Sequence, residues 1–270
     1  MYKTSTIILM THIIFNTSCY KEEVNPSLID NLICFWNFKE NPGQDRISVS
    51  DYPYCLKEGN GMIARATEGV FGNHSAIIKE GQWFYIPRAE CPALNIFGKN
   101  TEITIAAWIK REQKSYDQCE AIAGIWNETD LKRQYCLFLN LGIWDSKDQV
   151  CGHISGFGGP TPGYKYCMDA AIGNTKVPYG EWVCVGMTYN GSEINAYYNG
   201  KLDYREKLNP YPYDVGIFDS GSSGGDFTVG AVHRFNEMGN FFVGQIGGLA
   251  VYNRALDEKE MLYLANNIKE

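Results

Sequence analysis

"GEWVCVGMTYNGSEINAYYNGKLD" runs from Gly180 to Asp203, and its local chemistry decides the fold. Side chains alternate between the two faces of a strand, so Ile194, Ala196 and Tyr198 share one face of the second run. Asn199-Gly200 follows directly and supplies the positive backbone angles that a two-residue hairpin turn demands. Strand, tight turn, strand is therefore expected here. Outward from this hairpin the pattern repeats. "LICFWNFKE", "QWFYIPR", "TEITIAAWIKR", "EAIAGIW" and "QYCLFLNLG" precede it, and "DFTVGAV" and "FFVGQIGGLAVYNR" follow. Each is a short run rich in β-branched or aromatic residues, set off by Gly, Asn, Asp or Pro turns, which is the all-β signature. Residues 38–82 are less regular and read as short edge strands between loops. One helix is predicted, in "LDEKEMLYLANN", where Asp257 as N-cap and Glu260 three residues on complete a capping box. Asp257, Glu258 and Glu260 also place acid at the positive end of its dipole.

The 270 residues are 44% hydrophobic and 20% charged, ordinary proportions for a globular protein. The net charge of -7 and the lack of any basic run exclude a nucleic-acid partner, which needs clustered Lys and Arg. Aromatics stand out, with 18 Tyr, 13 Phe and 6 Trp. Most serve the sheets, which favour such side chains, and the remainder are available as stacking platforms for ligand rings.

"MYKTSTIILMTHIIFNTSC" opens with one Lys and an apolar stretch from Ile7 to Phe15, too short to cross a bilayer and suited to a secretory signal. With Ser18 before Cys19 it resembles a bacterial lipoprotein signal, although Asn16 stands where such signals usually carry Leu. That resemblance implies an exported chain with Cys19 acylated and held by an outer-membrane lipid anchor; a periplasmic or secreted protein is the alternative. Residues 1–19 are thus read as signal, 20–27 as tether and 28–267 as the folded domain.

Eight further cysteines are an even number, which permits disulfides in an oxidising compartment without fixing partners. Cys151 and Cys167 flank most of an irregular segment and are the preferred bridge. Cys34 and Cys184 lie inside strand-like runs, as small apolar side chains do. Without a CxxC pair, a structural zinc site is not expected.

Three segments carry a family resemblance: "ITIAAWIKR" (Ile103 to Arg111), the Gly180–Asp203 hairpin, and "FTVGAVHRFNEMGNFFVGQIGGLAVYNRALDEKEM". Together they resemble the laminin-G-like branch of the concanavalin A-like lectin/glucanase superfamily. The resemblance implies a jelly-roll sandwich of two antiparallel sheets with one short C-terminal helix. It also makes Trp36, Trp108 and Trp182 core residues. Some relatives bind a structural Ca²⁺, but Gly247-Gly248 stands where the family often has acids. Asp45, Asp51 and Asp226 are the remaining candidate ligands for that possible ion. Such a fold hosts lectins, glycosidases, lyases and adhesion domains, so function must come from the site.

The candidate site centres on "GHISGFGGPTPGYKYCMDAAIG", Gly152 to Gly173, which reads as neither strand nor helix. Long loops without secondary structure tend to carry function. It is expected to form a rim over the concave face, where His153, Tyr164, Tyr166 and Asp169 meet a sugar. Gly156, Gly158 and Gly159 would let backbone approach the ligand; an Ω-loop packed on its own tyrosines is the alternative. Trp126 and Trp144 are candidate platforms, and Arg88, His233 and Arg234 are further ligand contacts. Retaining glycosidase chemistry lacks its acid-x-acid-x-x-acid strand. A lyase remains open, with His153 or Tyr166 as base and Arg133 or Arg88 neutralising a uronate carboxylate; Asp169 and Glu128 complete the catalytic candidates. A lectin-like carbohydrate-binding protein of the cell envelope leads. A polysaccharide lyase or glycoside hydrolase using the same groove is the alternative, and protein–protein adhesion the third.

Overall fold

The structure, a computed structural model, describes residue 28 and residues 30–266, so the signal, Cys19, the 20–27 tether and Asn267 lie outside the described residues. With strands numbered in chain order, one sheet holds β1 (Leu32–Trp36), β4 (Ala64–Ala66), β5 (Ser75–Ile78), β7 (Ile103–Arg111), β12 (Trp182–Tyr189), β13 (Glu193–Tyr198), β14 (Lys201–Leu202), β15 (Tyr211–Pro212) and β19 (Gly244–Tyr252). The other holds β2 (Arg46–Ile47), β3 (Cys55–Gly59), β6 (Trp83–Ile86), β8 (Glu120–Asn127), β9 (Lys132–Leu139), β10 (Gln149–Ile154), β11 (Ala170–Lys176), β16 (Phe227–Val229), β17 (Val232–Arg234) and β18 (Glu237–Gly239). The nine-stranded sheet runs β14-β13-β12-β7-β19-β5-β4, and the ten-stranded sheet β11-β10-β9-β8-β16-β6-β3-β2. Pairing is antiparallel except where β17 lies alongside β8 through His233 and Asn127. This is the expected jelly-roll-like sandwich.

Local chemistry sets the elements as read. Asn199 and Gly200 take φ of 49° and 74° between β13 and β14, bringing Tyr198 opposite Lys201. At the C-terminus, Asp257 Oδ1 accepts the Glu260 N–H at 2.8 Å, and Glu260 Oε2 accepts the Asp257 N–H at 3.0 Å. That box starts helix α1 (Glu258–Asn266).

Alternation sorts the strand residues into three apolar layers. Ile105, Ala107 and Ile109 of β7 face Ile125, Tyr135 and Leu137 of the other sheet across the main core. Full burial of each Ile or Leu among them stabilises by roughly 1.5–3 kcal/mol. One ion pair also spans the sheets: Arg111 of β7 donates Nη2 to Glu120 Oε1 of β8 at 2.8 Å. Arg111 Nη1 reaches Asp148 Oδ1, also at 2.8 Å.

On the outer face of the nine-stranded sheet, Met261, Leu264 and Ala265 of α1 cover Ala106, Cys184 and Tyr252. Beside them Phe71 stands edge-on to Phe35 and to Trp108, 4.9 Å between centroids in each case. These rings explain Gly247-Gly248. A Cβ on Gly248 would lie 2.3 Å from Phe71, and one on Gly247 3.0 Å from Trp182. Trp36 is in the main core as expected, but Trp108 is buried on this outer face and Trp182 is only half-buried.

Two expectations need correction. Gly152–Gly173 is not wholly loop: its first residues finish β10, its last begin β11, and His153 pairs with Ala170 across them. No bridge joins Cys151 to Cys167, and all eight described cysteines are free thiols. Cys151 points its sulfur at the Gln149 carbonyl, 3.4 Å away, and Cys167 at that of Ile154, 4.0 Å away. Burial holds both as protonated thiols, pushing them up to about 12 and about 11.

Candidate functional site

The site lies on the outer face of the ten-stranded sheet, opposite α1. Along β10, Val150, Gly152 and Ile154 turn inward, which sends Cys151 and His153 outward. On β9, Cys136 and Phe138 take the same outward face, opposite His153 and Cys151. A register shift between Ile125 and Trp126 of β8 aligns Trp126 with Arg133. Trp126, Arg133, Phe138 and His153 floor a cavity of about 590 Å³.

His153 lies at the bottom, 3% exposed. Its ring centroid is 4.3 Å from that of Trp126 and 5.9 Å from Phe138, and neither ring nitrogen has a well-formed hydrogen bond, the Cys167 backbone giving only a weak contact. Burial, reinforced by the Arg133 charge, pushes its pKa down to about 3, so the ring is neutral at ordinary pH. A neutral imidazole presents one donor and one acceptor. Proton abstraction works best with a base titrating near the working pH, so this environment suits hydrogen bonding better than catalysis.

Charged residues form one wall. Glu128 Oε1 accepts the Trp126 indole N–H at 3.2 Å. Its Oε2 lies 3.9 Å from Arg133 Nη2 and 4.0 Å from Arg234 Nε. Arg133 Nη1 donates to the Gly158 carbonyl at 3.2 Å, and Arg234 Nη1 donates to Asn240 Oδ1. The Nε of both arginines is buried and unpartnered. The rim is apolar and open: Leu131 is 54% exposed, Tyr166 56% and Phe235 71%. Phe235 sits at the β17–β18 turn with φ 48°, beneath the Arg234 guanidinium at 4.5 Å. The Lys165 ammonium lies 5.2 Å above the Tyr166 ring.

The structure thus gathers Trp126, Glu128, Arg133, His153, Tyr166 and Arg234 around one cavity. It does not gather the others. Asp169 is 5% exposed, and its Oδ2 accepts the Thr161 hydroxyl at 2.6 Å, which ties the loop to itself; burial raises its pKa. Arg88 is consumed by structure, donating Nε to the Gly221 carbonyl at 2.7 Å and Nη1 to Gln134 Oε1 at 3.0 Å. Trp144 is half-buried and donates Nε1 to the Met168 carbonyl at 2.9 Å, with Tyr164 edge-on at 6.1 Å and 51% exposed. Neither Trp126 nor Trp144 is therefore an exposed platform. His233 lines a second cavity of about 550 Å³, its Nδ1 3.2 Å from Asn127 Oδ1.

Gly156 and Gly158 are required by the protein's own packing, whereas Gly159 has open space around it. A Cβ on Gly156 would lie 2.4 Å from Val215, and one on Gly158 2.4 Å from the Leu131 carbonyl, so the close approach is to the protein itself. The loop is at once a self-bonded Ω-loop at its base and a rim at Tyr166. Sequence inspection missed Phe235, Leu131 and Lys165. An apolar residue between Arg and Asn at a tight turn was the available sign. Among the described residues no group of three His, Cys, Asp or Glu side chains is placed to hold a metal ion. Asp45, Asp51 and Asp226 are exposed, and Asp226 Oδ1 accepts the Arg88 backbone N–H at 2.8 Å. The carboxylate-rich set that Ca²⁺ takes is not assembled from them.

A laminin G profile described as concanavalin A-like lectin/glucanases matches residues 81–261. The chain belongs to that superfamily. Solved structures share this fold. Domain 4 of AbnA, a GH43 extracellular arabinanase from Geobacillus stearothermophilus in complex with arabinotriose, superposes on this superfamily member with TM-score 0.57 and 18% identity. The match covers 87% of this chain and 98% of that one. The binding domain of botulinum neurotoxin DC, in complex with rat synaptotagmin II, gives 0.57 and 14%, covering 90% of this chain and 53% of its own. The ligand binding domain of botulinum neurotoxin serotype D, in complex with N-acetylneuraminic acid, gives 0.53 and 12%, covering 90% and 52%. The chain spans about half the length of these toxin domains. No curated protein sequence matches it.

Proposed function

We propose that the protein binds a glycan in the cavity over His153 on the outer face of the ten-stranded sheet. The observation that carries this is a cavity with a cationic wall and exposed aromatic rings at its rim. At the wall Arg234 and Lys165 bring N–H donors to the cavity, and the closed-off nitrogens of His153 and Arg133 lie beneath them. Tyr166 and Phe235 supply flat apolar faces against which a sugar ring packs. Structural neighbours solved with arabinotriose and with N-acetylneuraminic acid support a saccharide as that occupant. The protein acts outside the cytoplasm, lipid-anchored through Cys19, on the strength of its first nineteen residues.

A glycan array followed by titration calorimetry tests the binding. Micromolar or tighter binding of a saccharide class, abolished or weakened when Tyr166 and Phe235 are both replaced by Ala, is expected. An array without a single binding glycan discards the proposal. For the anchor, Cys19→Ser should move the protein from the membrane to the soluble fraction.

A further inference from the structure

We infer that the sugar held over His153 carries a carboxylate and that the sugar beside it is uncharged. This rests on the glycan proposal and specifies its chemistry. Three cationic side chains, Arg133, Arg234 and Lys165, line the cavity against a single carboxylate, Glu128. The Glu128 contacts to the two arginines, at 3.9 and 4.0 Å, are ion-pair distances and too long for hydrogen bonds. The Nε of each guanidinium is closed off even from water, so a ligand meets the open side of the wall and its uncompensated positive charge, where Arg234 is half-buried and Lys165 exposed. A planar carboxylate is the group such donors fit, because charge-assisted bonds from Arg to a carboxylate are short and directional.

The adjoining cavity has the opposite character. Trp126 lines both, so the two are neighbours across one indole. Glu58, Asp130 and Asp226 line the second cavity, and no Lys or Arg does. Glu58 is paired from below with Arg46, which is buried. Asp130 accepts from the Asn127 amide at 2.9 Å and Asp226 from a backbone N–H, neutral donors that leave their charges in place. A second acidic sugar there meets like charge, whereas hydroxyls meet acceptors. Trp83 and Tyr85 offer the apolar side of the same cavity. The pair of cavities accordingly selects a glycan in which acidic and neutral residues alternate over one that is acidic throughout.

Calorimetry with three oligosaccharides tests this: one alternating uronate and neutral sugars, the same compound with its carboxyls reduced to primary alcohols, and a homo-uronate of equal length. The alternating compound should bind, the reduced one should bind about tenfold more weakly or worse, and the homo-uronate should also bind more weakly. Arg234→Gln and Lys165→Gln should each shrink the gap between the first two; Lys165 lies on an exposed loop and gives a folded control if the arginine variant melts early. Equal binding of the alternating and reduced compounds overturns the carboxylate while leaving glycan binding intact. Homo-uronate binding as tight as the alternating compound overturns the neutral neighbour. Failure of all three together with a blank array overturns the glycan proposal itself.

Discussion

His153 packs its imidazole 4.3 Å from the Trp126 indole, and neither of its ring nitrogens has a well-formed hydrogen bond. Folding therefore removes a titratable ring from water, and the weak contact with the Cys167 backbone does not offset that loss. In the native protein it takes up a proton only near pH 3, against about 6.5 for an unperturbed ring. Between these values the unfolded chain binds more protons, so unfolding gains as acid is added. The stabilising effect of a neutral His153 is complete above about pH 6.5 and is lost progressively as the pH falls toward 3, by at most about 1.4 kcal/mol per pH unit. His153→Gln should flatten the stability profile between pH 6 and 4. Urea unfolding at a series of pH values checks this, and parallel profiles for the two proteins count against it.

The Arg111–Glu120 pair between the sheets makes a second expectation. Arg111 is 1% exposed and Glu120 2%, and Arg111 Nε also donates to both Glu120 oxygens, at 3.2 and 3.1 Å. Glu120→Ala leaves a buried cation without its main partner and should cost about 3–5 kcal/mol. Replacing both together, Arg111→Met with Glu120→Leu, should cost less, because the most deeply buried charge is removed with its partner, leaving only Asp148 and Lys114 short of a contact. Denaturant midpoints for the two variants decide it; equal losses contradict the expectation.

Rim residues should separate binding from stability. Tyr166→Ala and Phe235→Ala each remove an exposed ring and should weaken glycan affinity by about five- to tenfold. Because neither ring is buried, unfolding free energies should stay within about 0.5 kcal/mol of the parent. Paired calorimetry and denaturant titration read both quantities. Lost stability with unchanged affinity would reverse the assignment.

Gly248 tests the outer face under the aromatic rings. Gly248→Ala places a methyl 2.3 Å from Phe71 and 2.8 Å from Trp108, an overpacking expected to cost about 1–3 kcal/mol. Adding Phe71→Leu should recover part of that loss by vacating the space. A double variant less stable than Gly248→Ala alone would show that the clash lies elsewhere.

Local signals were legible wherever neighbouring residues determine the outcome. The Asn199-Gly200 turn needs only two residues with positive φ, and the Asp257–Glu260 box only a reciprocal pair. β10 was hidden because every residue from Gln149 to Ile154 is buried, one set against the core and the other beneath the cavity loops. A strand covered on both faces carries no polar alternation to read. The site was half legible for a related reason. His153 and Arg133 were candidates by residue type, and so were Asp169 and Arg88. Only tertiary partners distinguish them: Thr161 occupies Asp169, and Gly221 and Gln134 occupy Arg88, whereas the His153 ring has no such partner.

Leu28 packs with Met261 and Leu264 against the nine-stranded sheet, on the side away from the cavity. The described chain thus enters at the back of the sandwich. Leu28 and the cavity mouth therefore lie on opposite faces, so a label placed at residue 28 stands clear of the opening.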